Sequence, residues 1–207
     1  MASLIFLRHG QAQNNVERRL VGRLPNVPLT AEGKAQATYA AACIADMQVS
    51  RIYSSPIQRA METAQIVAKH NSLEVIPDDR LTEIDMGGLT GKTYNDLMER
   101  YGNIFLHFYQ GSDDFTNMGV ETFASVRNRI LDIVSYIQQK HAGENVLLVT
   151  HMDPIKAMLS TILNMTPQNL YHLIIANASL NIFLNSEGIF SVGSINVMEP
   201  SRLVKLW

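Results

Sequence analysis

The sequence predicts an α/β fold: a three-layer α/β/α sandwich with a mostly parallel central sheet and a helical insertion over the sheet's carboxyl edge. Three observations predict it. Two short runs, Leu4-Ile5-Phe6-Leu7 and Val146-Leu147-Leu148-Val149, are apolar without alternation, as strands buried on both faces of a parallel sheet are. Strand-like and helix-like segments alternate along the chain. Both apolar runs also end at a histidine, in Arg8-His9-Gly10 and in Thr150-His151, and in open α/β sheets ligands sit in the crevice beyond the carboxyl ends of strands.

Between the two runs, Pro28-Leu29-Thr30 opens a helix reaching about Met47, with Thr30 as its cap. Arg51-Ile52-Tyr53 is a short strand. Ser55-Pro56-Ile57-Gln58 reads as a helix start, with a serine cap, proline at the first helical position and a glutamine completing a capping box. That helix runs to about His70 with Ala60, Ala64, Val67 and Ala68 inward, and residues 73–76 form another strand. From Phe123, the spacing of Val126, Ile130, Ile133, Val134 and Ile137 predicts a long amphipathic helix ending near Gly143. Beyond the second run, Pro154 begins a helix through about Leu163, and Thr166-Pro167 caps a short one. Residues 179–184 and 189–195 pair as a hairpin across Asn185-Ser186-Glu187-Gly188. Residues 86–120, rich in Met, Phe and Tyr and broken by Gly, fit the alternation poorly and read as a cap-like helical insertion. Phe105, Phe108, Tyr109, Phe115 and Met118 either pack that insertion onto the body or line a substrate pocket as a lid.

A chain of 207 residues with 46% apolar and 17% charged residues and a net charge of −2 is expected to form one ordinary globular domain over 1–207. No basic stripe points to nucleic acid, and no apolar run approaches the roughly 18 residues of a membrane span. The lone Cys43 leaves no internal disulfide and no cysteine-based zinc site, which fits a reducing compartment, so the cytoplasm is the expected location. Met1-Ala2-Ser3 leads directly into the first strand, leaving no room for a signal peptide.

A neutral imidazole beside a permanent cation suits attack on a phosphoryl group: Arg8 holds anionic oxygens with a planar fork while His9 offers a ring lone pair. Taken alone, the tripeptide fits equally well a hydrogen-bonded core histidine next to a surface arginine. The wider pattern is far more specific. It comprises Leu7-Arg8-His9-Gly10, Asn15, Arg19, Gly22, Pro28-Leu29-Thr30, Gly33, Gln36-Ala37, Tyr53-Ser54-Ser55, Arg59-Ala60, Thr63-Ala64, Leu81-Thr82-Glu83-Ile84, Gly88 and Val149-Thr150-His151, in that order over nearly the whole chain. This pattern resembles the histidine phosphatase superfamily, the phosphoglycerate mutase-like family.

The resemblance implies that His9 attacks a phosphate ester to give a phosphohistidine, that Arg8, Arg59 and His151 form the phosphate pocket, and that Glu83 donates a proton to the leaving oxygen. It also places Asn15, Arg19 and Gly22 at the border of that pocket, and a homodimer is compatible with it. Arg23 and Lys92 are weaker candidates for an extra anionic group. Phosphoryl transfer asks mainly for positioning and positive charge, which two arginines and a second imidazole supply. A rival reading takes His9, Glu83, His151 and Asp153 as ligands of a divalent metal. Arg8 and Arg59 would repel a cation and attract phosphate, so no metal and no cofactor is expected.

Two departures from the family pattern stand out. Met152 and Asp153 follow the second histidine where glycine is usual, which narrows the pocket or disfavours highly charged substrates, and Gly119-Val120-Glu121-Thr122 replaces a Gly-Glu-Ser, leaving Glu121 a doubtful member of the site. Thr82-Glu83-Ile84-Asp85-Met86-Gly87 lacks the arginine and tyrosine with which the mutases grip a phosphoglycerate, and the interval from Glu83 to His151 is shorter than theirs. The expectation is therefore a phosphomonoester hydrolase acting on a phosphorylated small molecule. A 2,3-bisphosphoglycerate-dependent phosphoglycerate mutase is the alternative, and a binding protein that kept the fold without turnover is the third reading.

Overall fold

Among the described residues six strands, β1 (Ala2–Arg8), β2 (Val49–Ser54), β3 (Val75–Pro77), β4 (Asn145–Thr150), β5 (Leu180–Ser186) and β6 (Ile189–Val197), form one sheet in the order β3-β2-β4-β1-β5-β6. The computed structural model describes residues 2–110 and 112–198, the side chains of 167 and 168 excepted. The single-domain expectation also took in residues 1, 111 and 199–207, which lie outside the described residues. β1 to β4 run parallel, and β5 and β6 complete the sheet antiparallel.

The helices are α1 (Gln13–Glu17), α2 (Ala31–Ala45), α3 (Gln58–Asn71), α4 (Tyr94–Tyr101), α5 (Ile104–Gln110), α6 (Asp113–Asn117), α7 (Phe123–Lys140), α8 (Met152–Leu163) and α9 (Pro167–His172). The unbroken apolar runs of β1 and β4 explain the layering, because alternate residues feed opposite cores. Ile5, Leu7, Leu147 and Val149 pack with the alanine-rich inner faces of α2 and α3, while Leu4, Phe6, Val146 and Leu148 pack with α7 and α8.

Three boundaries moved, each for a local reason. α3 begins at Gln58, after Ile57 with no side-chain cap. Ser55 Oγ still accepts from the Ile57 amide at 3.3 Å but also lies 2.8 Å from Nε2 of His151, and the Gln58 side-chain amide donates to Glu62 at 2.6 Å. α8 begins at Met152, with His151 as its first flanking residue and Pro154 inside the first turn, where a missing N–H costs nothing. The β5–β6 turn is the two residues Glu187-Gly188, with φ of 53° and 86°, the mirror-image geometry that fits the strand twist.

The insertion is helical as expected, built from α4, α5 and α6. Phe108 and Phe115 are buried in the core beside Leu20, Leu89 and Ile104, with Met118 against them, so most of its aromatic residues pack. Phe105 and Tyr109 face a cavity.

Candidate active site

The β1–β4 register sets Arg8 opposite Thr150 and so brings His9 and His151 side by side where the two strands end. The His9 amide donates to the Thr150 carbonyl at 2.9 Å, and the two imidazoles meet edge to face with centroids 5.1 Å apart. Gly10 follows, and its role differs from a need for unusual backbone angles. A Cβ there would lie 2.3 Å from the Gly33 carbonyl oxygen, and one on Gly33 would lie 1.9 Å from that of Gln11. Both glycines exist so that the loop after β1 can press against the start of α2. The Gly10 amide donates to Thr63 Oγ1 at 3.1 Å, which donates in turn to the Arg59 carbonyl at 2.8 Å, locking the loop to α3.

His9 is 2% exposed, and its Nδ1 lies 2.7 Å from the Gly10 carbonyl. A carbonyl only accepts, so Nδ1 carries the proton and Nε2 keeps its lone pair. Arg59 Nε donates to that Nε2 at 3.2 Å, and Arg59 Nη2 donates to the Gly22 carbonyl at 2.7 Å. Burial first, then the charges of Arg59 and Arg8, hold the His9 imidazole well below its usual range. The same causes, burial foremost, depress His151. Both rings are neutral at physiological pH. Burial also lowers Arg59, to about 10, and lowers Arg8, whose Nη1 donates to the Ile175 carbonyl.

Arg8 Nε, Arg59 Nη1 and His151 Nδ1 are buried with no hydrogen-bond partner among the described residues. Their side chains all pack around His9. Leaving such groups unpaired costs about 1–3 kcal/mol each, so the cluster is matched to an anion that can accept from it.

Glu83 reaches the same place from the loop before the insertion. Its carboxylate lies on the start of α8, with the Met152 amide 3.3 Å from Oε2 and the Asp153 amide 3.3 Å from Oε1, and it accepts from the Ile84 amide at 3.0 Å. Burial and the neighbouring charge of Asp153 push it up to about 7, against the pull of Arg59, the Ile84 amide and Arg8. The loop is braced from outside. Glu121 accepts from Arg129 at 3.0 and 3.1 Å and from Arg23 at 2.8 Å, and Arg23 Nε donates to the Glu83 carbonyl at 3.0 Å. Glu121 and Arg23 therefore support the loop that carries Glu83.

A recess of about 50 Å3 is lined by Arg8, His9, Arg59, Glu83 and Asp153. It adjoins a wider cavity of about 580 Å3, and Arg8, Asn15, Tyr94, Phe105 and Met152 face both. Asn15 accepts from Asn177, whose amide also donates to the His9 carbonyl at 3.2 Å. Arg19 borders the recess, but its guanidinium pairs with Glu17 at 3.2 Å and donates to the Gly91 carbonyl. Lys92 is exposed. Gly22 contributes its carbonyl from a left-handed φ of 44°, with a Cβ position 2.8 Å from the Ile84 carbonyl oxygen and 2.9 Å from the Met86 amide. Gly22→Ala is expected to lower stability by about 1–3 kcal/mol and to loosen Arg59, read as a lower midpoint in urea with a raised KM.

Sequence reasoning missed Ser55, taken for a helix cap, along with Tyr94, Asn177 and Lys156. Lys156 left one signal: it interrupts a helix face that is buried from Asp153 to Ser160. The metal-ligand reading finds no footing in the geometry. Among the described residues no group of three or more His, Cys, Asp or Glu side chains is arranged to hold an ion, and Asp153 takes the Tyr109 hydroxyl instead.

The sheet order and this histidine-arginine cluster define a phosphate-handling enzyme class, and the chain belongs to the histidine phosphatase superfamily, branch 1, whose model matches residues 4–197. Members of this family are enzymes. The chain is similar to a 2,3-bisphosphoglycerate-dependent phosphoglycerate mutase of Thermoplasma acidophilum, 32% identical over 98% of this chain and 97% of that one. It is also similar to phosphoserine phosphatase 1 of Hydrogenobacter thermophilus, 31% identical over 88% and 86%. Among solved structures, a histidine-to-alanine mutant of the phosphoserine phosphatase of Entamoeba histolytica in complex with phosphoserine superposes with a TM-score of 0.83 at 26% identity, covering 96% of this chain and 98% of that one. No helix among the described residues is long and apolar enough to cross a membrane.

Proposed function

We propose that this protein hydrolyses small phosphomonoesters without a metal, through a phosphohistidine on His9. The observation that carries the reading is a buried imidazole whose Nδ1–H is fixed on Gly10, leaving its Nε2 lone pair, on which Arg59 Nε donates, beside the unpartnered N–H donors Arg8 Nε and Arg59 Nη1 and the unpartnered Nδ1 of His151. In the first step the Nε2 lone pair forms a bond to phosphorus as the ester P–O bond breaks, and Glu83 gives its proton to the departing oxygen. Arg8, Arg59 and His151 hold the equatorial oxygens while charge spreads over them. In the second step water attacks phosphorus, Glu83 takes back a proton, and the N–P bond breaks to release phosphate and neutral His9. The leaving group would occupy the wider cavity, whose walls are Phe105, Tyr94, Tyr109 and Tyr171 and whose cations are Arg8 and Lys156.

The test is phosphate release from para-nitrophenyl phosphate, phosphoserine and 3-phosphoglycerate with a chelator present, alongside mass spectrometry of acid-labile phosphate on His9 after a rapid quench. Phosphate release with a modified His9 supports hydrolysis. Turnover that a chelator abolishes and a metal ion restores overturns it. The Thermoplasma relative favours a second reading, mutase activity, and bisphosphoglycerate-primed formation of 2-phosphoglycerate without net phosphate release would establish that instead.

The protonation states fix a pH window. His9 must be neutral and Glu83 protonated, so kcat/KM should fall on the acid side only below the ordinary imidazole range, and on the basic side from about 7. Glu83→Gln is expected to remove the basic limb. It should slow an alkyl ester by about 10²–10⁴-fold but affect para-nitrophenyl phosphate much less, because a phenolate leaves without a proton.

A further inference from the structure

Asp153 adds a negative charge two residues after His151, and the structure buries it at 4% exposure in the wall of the recess. Its Oδ1 accepts from the Tyr109 hydroxyl at 2.7 Å, and that hydroxyl oxygen accepts from Lys156 Nζ at 2.7 Å. A linear chain thus runs from the ammonium of α8 through the phenol of α5 to the carboxylate of Asp153. Tyr109 and Lys156 are themselves buried, at 6% and 3% exposure, in the wall of the wider cavity. The backbone amide of the same Asp153 donates to Glu83 Oε1. Two carboxyl groups therefore share the first turn of one helix, one held by side chains and the other by main chain.

We propose that Asp153 is a positioning residue for Glu83: its carboxylate, fixed beside Glu83 by Tyr109 and Lys156, sets the pH at which Glu83 gives up its proton. The proposal rests on the reading of Glu83 as proton donor. The physical basis is that a carboxylate held next to a second carboxyl group disfavours the ionised form of that second group. Asp153 has a phenol and an ammonium behind it. Glu83 has weak backbone contacts, with its 3.3 Å amide bonds at the long end of the range.

The other groups facing Glu83 do not duplicate this role. Arg8 from β1 and Arg59 from α3 favour its ionised form, as does the more distant Lys156, and His9 and His151 are neutral. Tyr94 from α4 and Tyr109 from α5 are both pushed up by burial and stay uncharged. Arg23 meets Glu83 at its backbone carbonyl and spends its charge on Glu121. Asp153 is thus the negative charge that opposes two arginines at the donor, and it allows a site rich in cations to keep a protonated carboxyl at neutral pH.

The alternative is that Asp153 only tethers the insertion to α8 through Tyr109. A pH readout separates the two. The experiment is a titration of protein carrying 13C-carboxyl-labelled glutamate, followed by NMR, with the Glu83 resonance assigned by its loss in Glu83→Gln. The wild type should titrate near 7. In Asp153→Asn, and in Asp153→Ser as a second neutral variant should the first fail to fold, the Glu83 midpoint and the basic limb of kcat/KM should both move down by about one pH unit. Asp153→Glu should restore most of the shift. An unchanged Glu83 midpoint in the neutral variant, whatever its stability, overturns the proposal while leaving the donor role of Glu83 intact. A basic limb that survives in Glu83→Gln overturns the donor role instead.

Discussion

His9→Ala is expected to lower phosphate release by at least ~10⁴-fold and to leave no phosphorylated protein after a quench, because no other described group near the recess offers an unprotonated nitrogen held at the required place. His151 does not substitute. Its Nε2 lies 2.8 Å from the Ser55 hydroxyl and its ring is fixed at the start of α8. Binding should survive, since Arg8, Arg59 and the start of α8 stay in place and the smaller side chain enlarges the recess. Isothermal titration with a slowly hydrolysed phosphoester should give an affinity within about tenfold of the wild type, with turnover gone. A variant that keeps a tenth of the wild-type rate would refute the nucleophile assignment.

Arg59→Met should cost nearly as much, about 10²–10³-fold in kcat/KM, because in the proposed mechanism it removes a charge that would face the phosphoryl oxygens in the transition state. Arg59 is 1% exposed and does two things at once: Nε aligns His9 and Nη2 ties the recess to Gly22. Its guanidinium is held in a buried place next to another cation, Arg8, and burial already depresses it to about 10. Methionine is close in length and needs no solvation, so the folding penalty should be small, with Tm shifted by only a few degrees. Inorganic phosphate should raise Tm in the wild type and not in the variant, as expected when ligand binding to the folded state is lost. Equal stabilisation of both proteins by phosphate would place the anion elsewhere.

The arrangement has a cost that these variants expose. A fully buried guanidinium at Arg59, a partly buried one at Arg8 and two neutral imidazoles make an unfavourable cluster, with unpartnered polar atoms suited to an anion. Asp153 works in the opposite electrostatic sense a few ångströms away. It lines the same recess as Arg8, His9 and Arg59, and with burial its charge pushes the Glu83 carboxyl up to about 7, so one pocket joins guanidinium donors with a carboxyl group that holds its proton to near neutrality.

How far the sequence reaches depends on how local each feature is. The runs at Leu4 and Val146 announce their burial residue by residue, and because parallel neighbours start and stop together, the histidine after each run had to come to the same edge of the sheet. Thr30 is an equally local signal, and it caps α2 through the Gly33 amide as read. Ser55 carries the same kind of signal and accepts from the Ile57 amide, but nothing local announces its second partner, His151, 96 residues away. Gly10 is informative for a reason that the chain around it does not contain, namely the backbone of Gly33 pressed against it.

By itself, the sequence determined the α/β layering, the strand ends that carry His9 and His151, and the family whose order of motifs the chain follows, because apolar periodicity and motif order are written in neighbouring residues. Only the tertiary structure decided the protonated nitrogen of His9, the elevation of Glu83, and the Lys156–Tyr109–Asp153 chain. The last two depend on groups 44 to 70 residues apart and on exclusion of water, and burial is a property of the packed whole; the first depends on how the folded loop turns the neighbouring Gly10 carbonyl onto Nδ1.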